Sequence, residues 1–398
     1  MGKLQVMNIG IKCAVFFLFL PSVFATVDLR GYTLAQISIS TPVLKTSDHQ
    51  LSVIEFKNIN RLHLLQVFKD ESQLELEIEL NQLYQIDHGP IKNYLSSGSY
   101  RIDDFSQSIV RSHSNLKKYY LLKELDRLSY SRSIGSLDVV IGRQQISFGS
   151  AKMINPTDIF TPFSVNEINK EERSGIDAVR MRGEMGSNAE IDTGLIIGEQ
   201  FDRDESAAYL RLIVPYKNIE IKPIVAYYYQ AWAAGIDVII PIEGSILYFE
   251  SLMTSPKKET SYTRISTGVE YQWTEDFYST IEYHYNGSGE GNQNDYDLFS
   301  KRFSQTHGRS YLLNRHYIAF LGAYQISALH SAQLSILSSI QDHSALVSTS
   351  WEASLNADMV FSLGGYFGVG ERSGSLTRPE SEFGLYGKTI YSKLKCYF

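Results

Sequence analysis

Residues 73 to 81, Gln73-Leu74-Glu75-Leu76-Glu77-Ile78-Glu79-Leu80-Asn81, alternate polar and apolar without a break. A period of two is that of an extended strand, whose successive side chains point to opposite faces, and not the 3.6 of a helix. One face presents Leu, Leu, Ile and Leu and the other presents carboxylates, so one side wants hydrocarbon and the other wants water. The pattern returns more loosely along a chain of 398 residues. It predicts an all-β protein, a single antiparallel transmembrane β-barrel.

Composition agrees. Tyr (26) and Phe (20) are abundant while Pro (10) and Cys (2) are scarce, as half-buried strands with aromatic residues at membrane interfaces require. No later stretch approaches the roughly 18 consecutive apolar residues of a membrane helix, which excludes helical spans. A barrel stays compatible, because only alternate residues need meet lipid.

Residues 1–25 read as a signal peptide. Lys3 and Lys12 supply positive charge, Cys13 to Leu20 are almost wholly apolar, and Val23-Phe24-Ala25 offers a cleavage site. The barrel then occupies 26–398. Removing those two lysines, with no acidic residue among the 25, leaves 35 basic against 44 acidic side chains, a net of −9. Nucleic acid is therefore not expected as a partner. Only Cys396 remains, so neither an intrachain disulfide nor a cysteine metal cluster is expected.

From Leu137 onward, period-two runs are separated alternately by short and long connections, as strands crossing a membrane back and forth should be. Short ones fall at Ile134 to Ser136, Gly186 to Asn188, Pro215 to Asn218, Glu243 to Ser245, Thr274 to Asp276, Leu329 to Ser331 and Asn356-Ala357. Long ones fall at Ser147 to Gly175, Glu199 to Glu205, Ser255 to Ser261, Asn286 to Leu312 and Gly370 to Glu382, with shorter gaps at Gln230 to Gly235 and Gln341 to Ser344 in the same slots. This region supplies about 14 strands and the N-terminal part about four, near Leu29 to Ser38, Leu51 to Phe68, Gln73 to Tyr84 and Leu125 to Arg132. The expected total is about 18, with 16 as the alternative and Leu51 to Phe68 readable as one bent strand or two short ones. An even count puts both termini on the short-turn, periplasmic side.

An Arg or Lys on the lipid face costs about 2 to 4 kcal/mol at the bilayer midplane, so charged faces must look into the lumen. This gives a pore-lining set of Glu75, Glu77, Glu79, Arg180, Arg182, Arg211, Arg264, Glu270, Glu282 and His284. A plain reading makes these solvated wall. A sharper one sets Glu75, Glu77 and Glu79 against Arg180, Arg182 and Arg211 across the pore, as a transverse field. At the end of the chain Ile390, Leu394, Cys396 and Phe398 share one face of a strand that stops at an aromatic residue. That resembles the last strand of bacterial outer-membrane barrels, and it implies outer-membrane lipids and the barrel-assembly machinery as partners and the bacterial outer membrane as location.

One segment is no ladder strand. Gly142-Arg143-Gln144-Gln145-Ile146-Ser147-Phe148-Gly149 leads to Ile154-Asn155-Pro156-Thr157-Asp158-Ile159-Phe160-Thr161-Pro162-Phe163, and Glu172-Arg173-Ser174-Gly175-Ile176-Asp177-Ala178-Val179-Arg180 closes it. Asn155-Pro156 and Thr161-Pro162 form turns, and Gly149 and Gly175 release the backbone. A loop so long and so rich in apolar residues is expected to fold against the barrel wall over 147–175 and narrow the pore, with Arg143 or Arg173 paired to Asp158; a loop that merely braces the rim is the alternative. The series resembles outer-membrane porin-like barrels of the alginate-export type, strongest over 125–184 and weaker at Glu282-Tyr283-His284-Tyr285-Asn286-Gly287. The resemblance implies an 18-stranded barrel that moves or holds solutes or polysaccharide. For alginate itself the resemblance implies a lumen lined densely with Arg, and this chain departs from that at Glu75, Glu77 and Glu79.

The expected function is a channel for passage or export of small hydrophilic solutes or polysaccharide. A second class is a surface barrel that binds glycan without conducting it, through Tyr296, Phe299 and Phe303 among Asn292, Gln293, Asn294 and Asp295. A third is an outer-membrane hydrolase using His284 beside Glu282, or His316 near Arg315, but no nucleophile elbow and no His-Glu-x-x-His pair accompanies them. No metal and no cofactor is implied, although scattered loop Asp residues suit Ca2+.

Overall fold

The computed structural model describes residues 24–41, 52–86, 100–103, 107–114, 117–162, 173–186, 188–296, 302–307, 312–371 and 379–398. The predicted signal peptide therefore lies almost entirely outside the described residues.

Alternating sequence becomes strand throughout. In chain order the strands are β1 (Phe24–Thr41), β2 (Val53–Phe68), β3 (Gln73–Ile86), β4 (Gln107–Ser114), β5 (Lys117–Ile134), β6 (Leu137–Gln144), β7 (Ile176–Met185), β8 (Ala189–Ile196), β9 (Ala207–Tyr216) and β10 (Ile219–Tyr228). There follow β11 (Ala231–Ile242), β12 (Ser245–Pro256), β13 (Tyr262–Gln272), β14 (Phe277–Asn286), β15 (His316–Ser327), β16 (His330–Ser339), β17 (Ala345–Asn356), β18 (Met359–Val369) and β19 (Lys388–Tyr397). All 19 belong to one sheet, in which β4 pairs only with the upper part of β5. The other 18 form a closed antiparallel barrel, sealed where β1 pairs with β19. Closure leaves no row of unpaired backbone groups, which a bilayer would penalise at several kcal/mol per group.

The seam is built on a missing side chain. Backbone hydrogen bonds of 2.9 and 3.0 Å join Gly31 and Phe398 in both directions. A Cβ at Gly31 would stand 2.6 Å from the Phe398 ring and from the Arg61 carbonyl, so only glycine leaves room for the aromatic ring there.

Burial is inverted relative to a water-soluble barrel. Leu29, Ile37, Phe56, Ile141, Leu195, Trp232, Met253, Ile281 and Leu363 are exposed on the outside, while Arg61, Asp126, Asp192, Asp237, Glu250 and Glu282 are buried inside. An apolar outer face around a polar interior is the signature of strands that cross lipid. The final strand obeys it, with Ile390 and Phe398 exposed on its outer face.

One alternative left open by the sequence is settled, and two differences from it have physical causes. Residues Val53–Phe68 form one strand rather than two, because β1 and β3 pair with it along its length. Strand β4 arises where β5 continues beyond the end of β6 and its free edge takes a partner. Gln230 to Gly235 is not a loop. The turn is only Tyr229-Gln230, both at positive φ (47° and 61°), and Ala231, Ala233 and Gly235 are inward positions of β11. Small residues that read as a loop are there to leave space inside the barrel.

Candidate functional site

That space is filled by residues 145–162, which follow β6. Gly142 and Gly149 start it at φ +114° and +102°, values costly for any residue with a Cβ, and at Gly149 a Cβ would lie 2.7 Å from Glu250 Oε1. Ile146, Phe148, Ile159 and Phe160 then pack with Tyr100 against Ile176, Ala178, Ile196, Ala207, Tyr209, Ile224, Ala226, Ala231 and Ala233 on β7 to β11. Phe148 lies 5.1 Å from Tyr209 and 5.9 Å from Phe160 between ring centroids. An inner wall of alanine and isoleucine is unsuited to water, and the aromatic loop covers it.

Polar anchors hold the other side of the loop. Glu282 accepts from the backbone amides of Lys152 (2.9 Å), Met153 (3.1 Å) and Ile154 (3.0 Å) and from the Tyr248 hydroxyl (2.7 Å). Glu250 accepts from the amides of Ser150 (3.3 Å), Ala151 (3.2 Å) and Thr157 (2.8 Å) and from the Thr157 hydroxyl (2.5 Å). Arg264 donates to the Pro156 carbonyl at 2.9 Å, Lys152 pairs with Glu270 at 3.3 Å, and Arg173 pairs with Asp158. Of the two partners expected for Asp158, the structure therefore takes Arg173. Arg143 instead forms a two-pronged pair with Asp177, both bonds 2.9 Å. Gln144 caps carbonyls of the β6 and β7 ladder, and Asn155 accepts the Asp158 amide at its carbonyl in the Asn-Pro turn.

This changes the roles expected for part of the pore-lining set. Arg264, Glu282 and His284 face inward but are 4%, 1% and 2% exposed beneath the loop, so they hold it rather than line open water. His284 is buried with a serine beside it. Its partner Ser266 lies 2.8 Å away, but the Ser266 hydroxyl donates to the Ile154 carbonyl at 2.6 Å, leaving no proton for the imidazole to remove. His316 contacts the Tyr283 hydroxyl on the outer face.

The charges expected to oppose one another across the pore are matched locally instead. Arg61 on β2 pairs with Glu77, with Glu79 (3.0 Å) and with Asp126; His63 pairs with Glu75 at 3.1 Å. Arg180 grips Asp192 (2.9 and 2.5 Å), and Arg211 lies 3.8 Å from Asp237 and over the Phe148 ring, while Arg182 is exposed. These pairs join adjacent or next-but-one strands of the same wall rather than opposite walls.

Asp126 was not foreseen. The β3–β5 register slips by one residue between Glu77 and Ile78, which turns both Asp126 and Arg127 inward. There Asp126 meets Arg61, Arg101 (3.2 Å) and Arg127 (3.1 Å) and accepts the Gly175 amide at 2.9 Å, joining the loop's end to the wall. The signal lay in Leu125-Asp126-Arg127-Leu128, two adjacent polar residues in an otherwise alternating strand.

Away from the loop the inner faces of β15 to β19 and β1 are rich in hydroxyls and amides, among them Gln36, Ser38, Gln333, Ser335, Ser348, Ser350 and Ser362. Two recesses open here, one of about 510 Å³ at the short-turn end between β13 and β17, the other of about 490 Å³ beside Tyr32, His63, Arg127 and Tyr397.

At the long-loop rim, Glu382 ties three segments together. It accepts from the Leu313 (3.1 Å) and Asn314 (3.2 Å) amides and from the Tyr317 hydroxyl, while its own amide donates to Asp342. Tyr296 reaches Asp342 at 2.9 Å, so it packs within the rim; Phe299 lies outside the described residues, and Phe303 is buried against Tyr228. Burial pushes the Glu382 carboxyl up to about 7, against the pull of the Tyr317 hydroxyl and Leu313 amide, and Asp342 adds to the rise. The closed rim thus keeps a proton that an opened rim releases. Its contribution is complete below the ordinary value of 4.5 and is lost as pH rises through about 7. Beyond the base catalysis that every amide shows, hydrogen exchange of residues 312–316 should accelerate by up to about a further tenfold per pH unit between about 4.5 and 7, and level off above. Glu382→Gln should flatten that dependence.

No protein-family model and no curated protein matches the chain. Solved structures do. OccAB1 of Acinetobacter baumannii superposes at TM-score 0.52 with 10% identity, covering 93% of this chain and 96% of that one. The fold is porin-like. A triple mutant of the Rhodopseudomonas blastica porin also matches, at TM-score 0.46 and 8% identity over 94% of this chain and 100% of that one.

Proposed function

We propose that this porin-like barrel is a bacterial outer-membrane channel for passive passage of small hydrophilic solutes, with a lumen narrowed by the loop over residues 147–175. The observation that carries the reading is the seating of that loop inside the barrel, its amides on Glu250 and Glu282 and its aromatic side on an alanine-rich wall. A loop fixed from both sides is a filter of defined width. The serine- and glutamine-rich wall favours uncharged or internally balanced solutes, and the paired charges at Arg61 and Arg180 leave little net field to select an ion. Export of a polyanion such as alginate is the narrower reading carried by the motif resemblance, and Glu75, Glu77 and Glu79 argue against it. The proposal includes residues 1–25 as an export signal and the strand ending at Phe398 as the contact for assembly machinery.

Planar-bilayer conductance of the refolded protein tests it. Discrete steps reduced by neutral sugars, with cationic and anionic sugars passing at similar rates, are expected. A flat trace from correctly folded barrels would overturn the channel reading and leave glycan binding at the rim.

A further inference from the structure

The outer surface holds one region that lipid alone does not explain. On β2 the outward residues run Leu64, Leu62, Asn60, Asn58, Phe56, Ile54, so two amides interrupt an apolar series with hydrocarbon both above and below. The interruption continues sideways. Asn60 stands opposite Thr33 of β1, Asn58 opposite Gln82 of β3, and Leu80 opposite Lys123 of β5, and all of these share the outward face. Gln82 likewise sits between Leu80 and Tyr84, and Lys123 between Leu121 and Leu125. On β6 to β19, outward positions away from the strand ends carry no amide and no charge among the described residues.

Within the patch Thr33 donates to Asn60 (2.9 Å), Asn60 to Asn58 (2.6 Å) and Asn58 to the Leu34 carbonyl (3.4 Å). These bonds orient the amides but use only part of their capacity, since each side-chain amide carries two donors and two acceptor sites. Polar groups at membrane depth ordinarily face other protein. Lys123 can extend towards headgroups, but Asn58 and Asn60, short and flanked by apolar residues, cannot.

We infer that the outer face of β1, β2, β3 and β5 is a contact between two copies of this chain. The occupant follows from depth and chemistry. Asparagine and glutamine donate and accept equally, so the patch is complementary to itself, as a two-fold contact requires. A two-fold axis along the membrane normal also keeps every residue at its own depth, bringing Asn58 and Asn60 against the same pair in the other copy. A water-soluble partner does not reach this depth, and lipid chains offer no hydrogen bond.

The test uses the full-length protein in outer membranes, with Cys396→Ser to remove the native outward thiol. Asn60→Cys should form a disulfide-linked species of doubled mass on mild oxidation, while Ile281→Cys, equally outward on β14, should not. Asn58→Leu combined with Asn60→Leu should shift the detergent-extracted wild-type dimer to monomer in light scattering without changing single-channel conductance. Equal cross-linking at both cysteines, which marks random collision, would overturn the inference. So would a wild-type monomer with Asn60→Cys either freely labelled by maleimide or shielded within a single chain. The outcome is independent of whether the barrel conducts.

Discussion

Removing residues 150–172 should raise single-channel conductance severalfold while the barrel still folds. The loop is held by two systems, one polar and one apolar. A hydrogen bond to a charged group contributes about 1.5 to 3 kcal/mol, and Glu250 and Glu282 accept four each. Each fully buried aromatic or aliphatic side chain on the opposite side contributes about 1.5 to 3 kcal/mol, and Ile146, Ile159 and Phe160 are 0% exposed. Neither system alone releases the loop. Glu282→Leu by itself should therefore leave conductance nearly unchanged but make the open current noisier, and Glu282→Leu with Phe160→Ala should approach the deletion. Unchanged conductance in a folded deletion mutant would show that the loop braces the rim without narrowing the pore.

The second large effect is at Arg61. Its guanidinium faces Glu77, Glu79 and Asp126 together, and it is 7% exposed. Taking one partner from a buried ion pair costs about 3 to 5 kcal/mol because the charges left behind have little solvent, and here Glu77 and Glu79 are left while Asp126 keeps Arg101 and Arg127. Arg61→Met should lower the unfolding midpoint of the refolded barrel in detergent and move the reversal potential towards cation preference. Adding Glu77→Gln, which removes a carboxylate paired with Arg61, should recover part of the midpoint. A lone Arg61→Met protein with wild-type stability would mean that Arg101 and Arg127 suffice to balance the cluster.

The barrel was legible because its two faces answer to two solvents, and Gln73 to Asn81 states both in nine residues. The strand count, the phase of short and long connections and the inward set on β13 and β14 all follow from that alternation. The loop's existence was legible from Asn155-Pro156 and Thr161-Pro162. Its seat was not, because Ala226, Ala231 and Ala233 look the same in sequence whether they face lipid, water or a phenyl ring. Asp126 was missed for a related reason: a register slip of one residue changes which face a side chain takes, and period-two reading assumes no slip. Local charge pairing was hidden as well, since Arg61 and Glu79 are 18 residues apart in sequence and 3.0 Å apart in space.

The alanine-rich inner wall has a wider consequence. Along β9 to β11, odd and even residues obey separate selections: one set is judged by lipid and the other by the loop. Permeability can therefore drift without disturbing membrane insertion. Enlarging Ala226 or Ala233, which share a buried cluster with Phe160, should disturb the loop's seat while the outward residues of the same strands stay as they are. If the barrel conducts as proposed, its passage can be retuned at fixed circumference, one methyl group at a time.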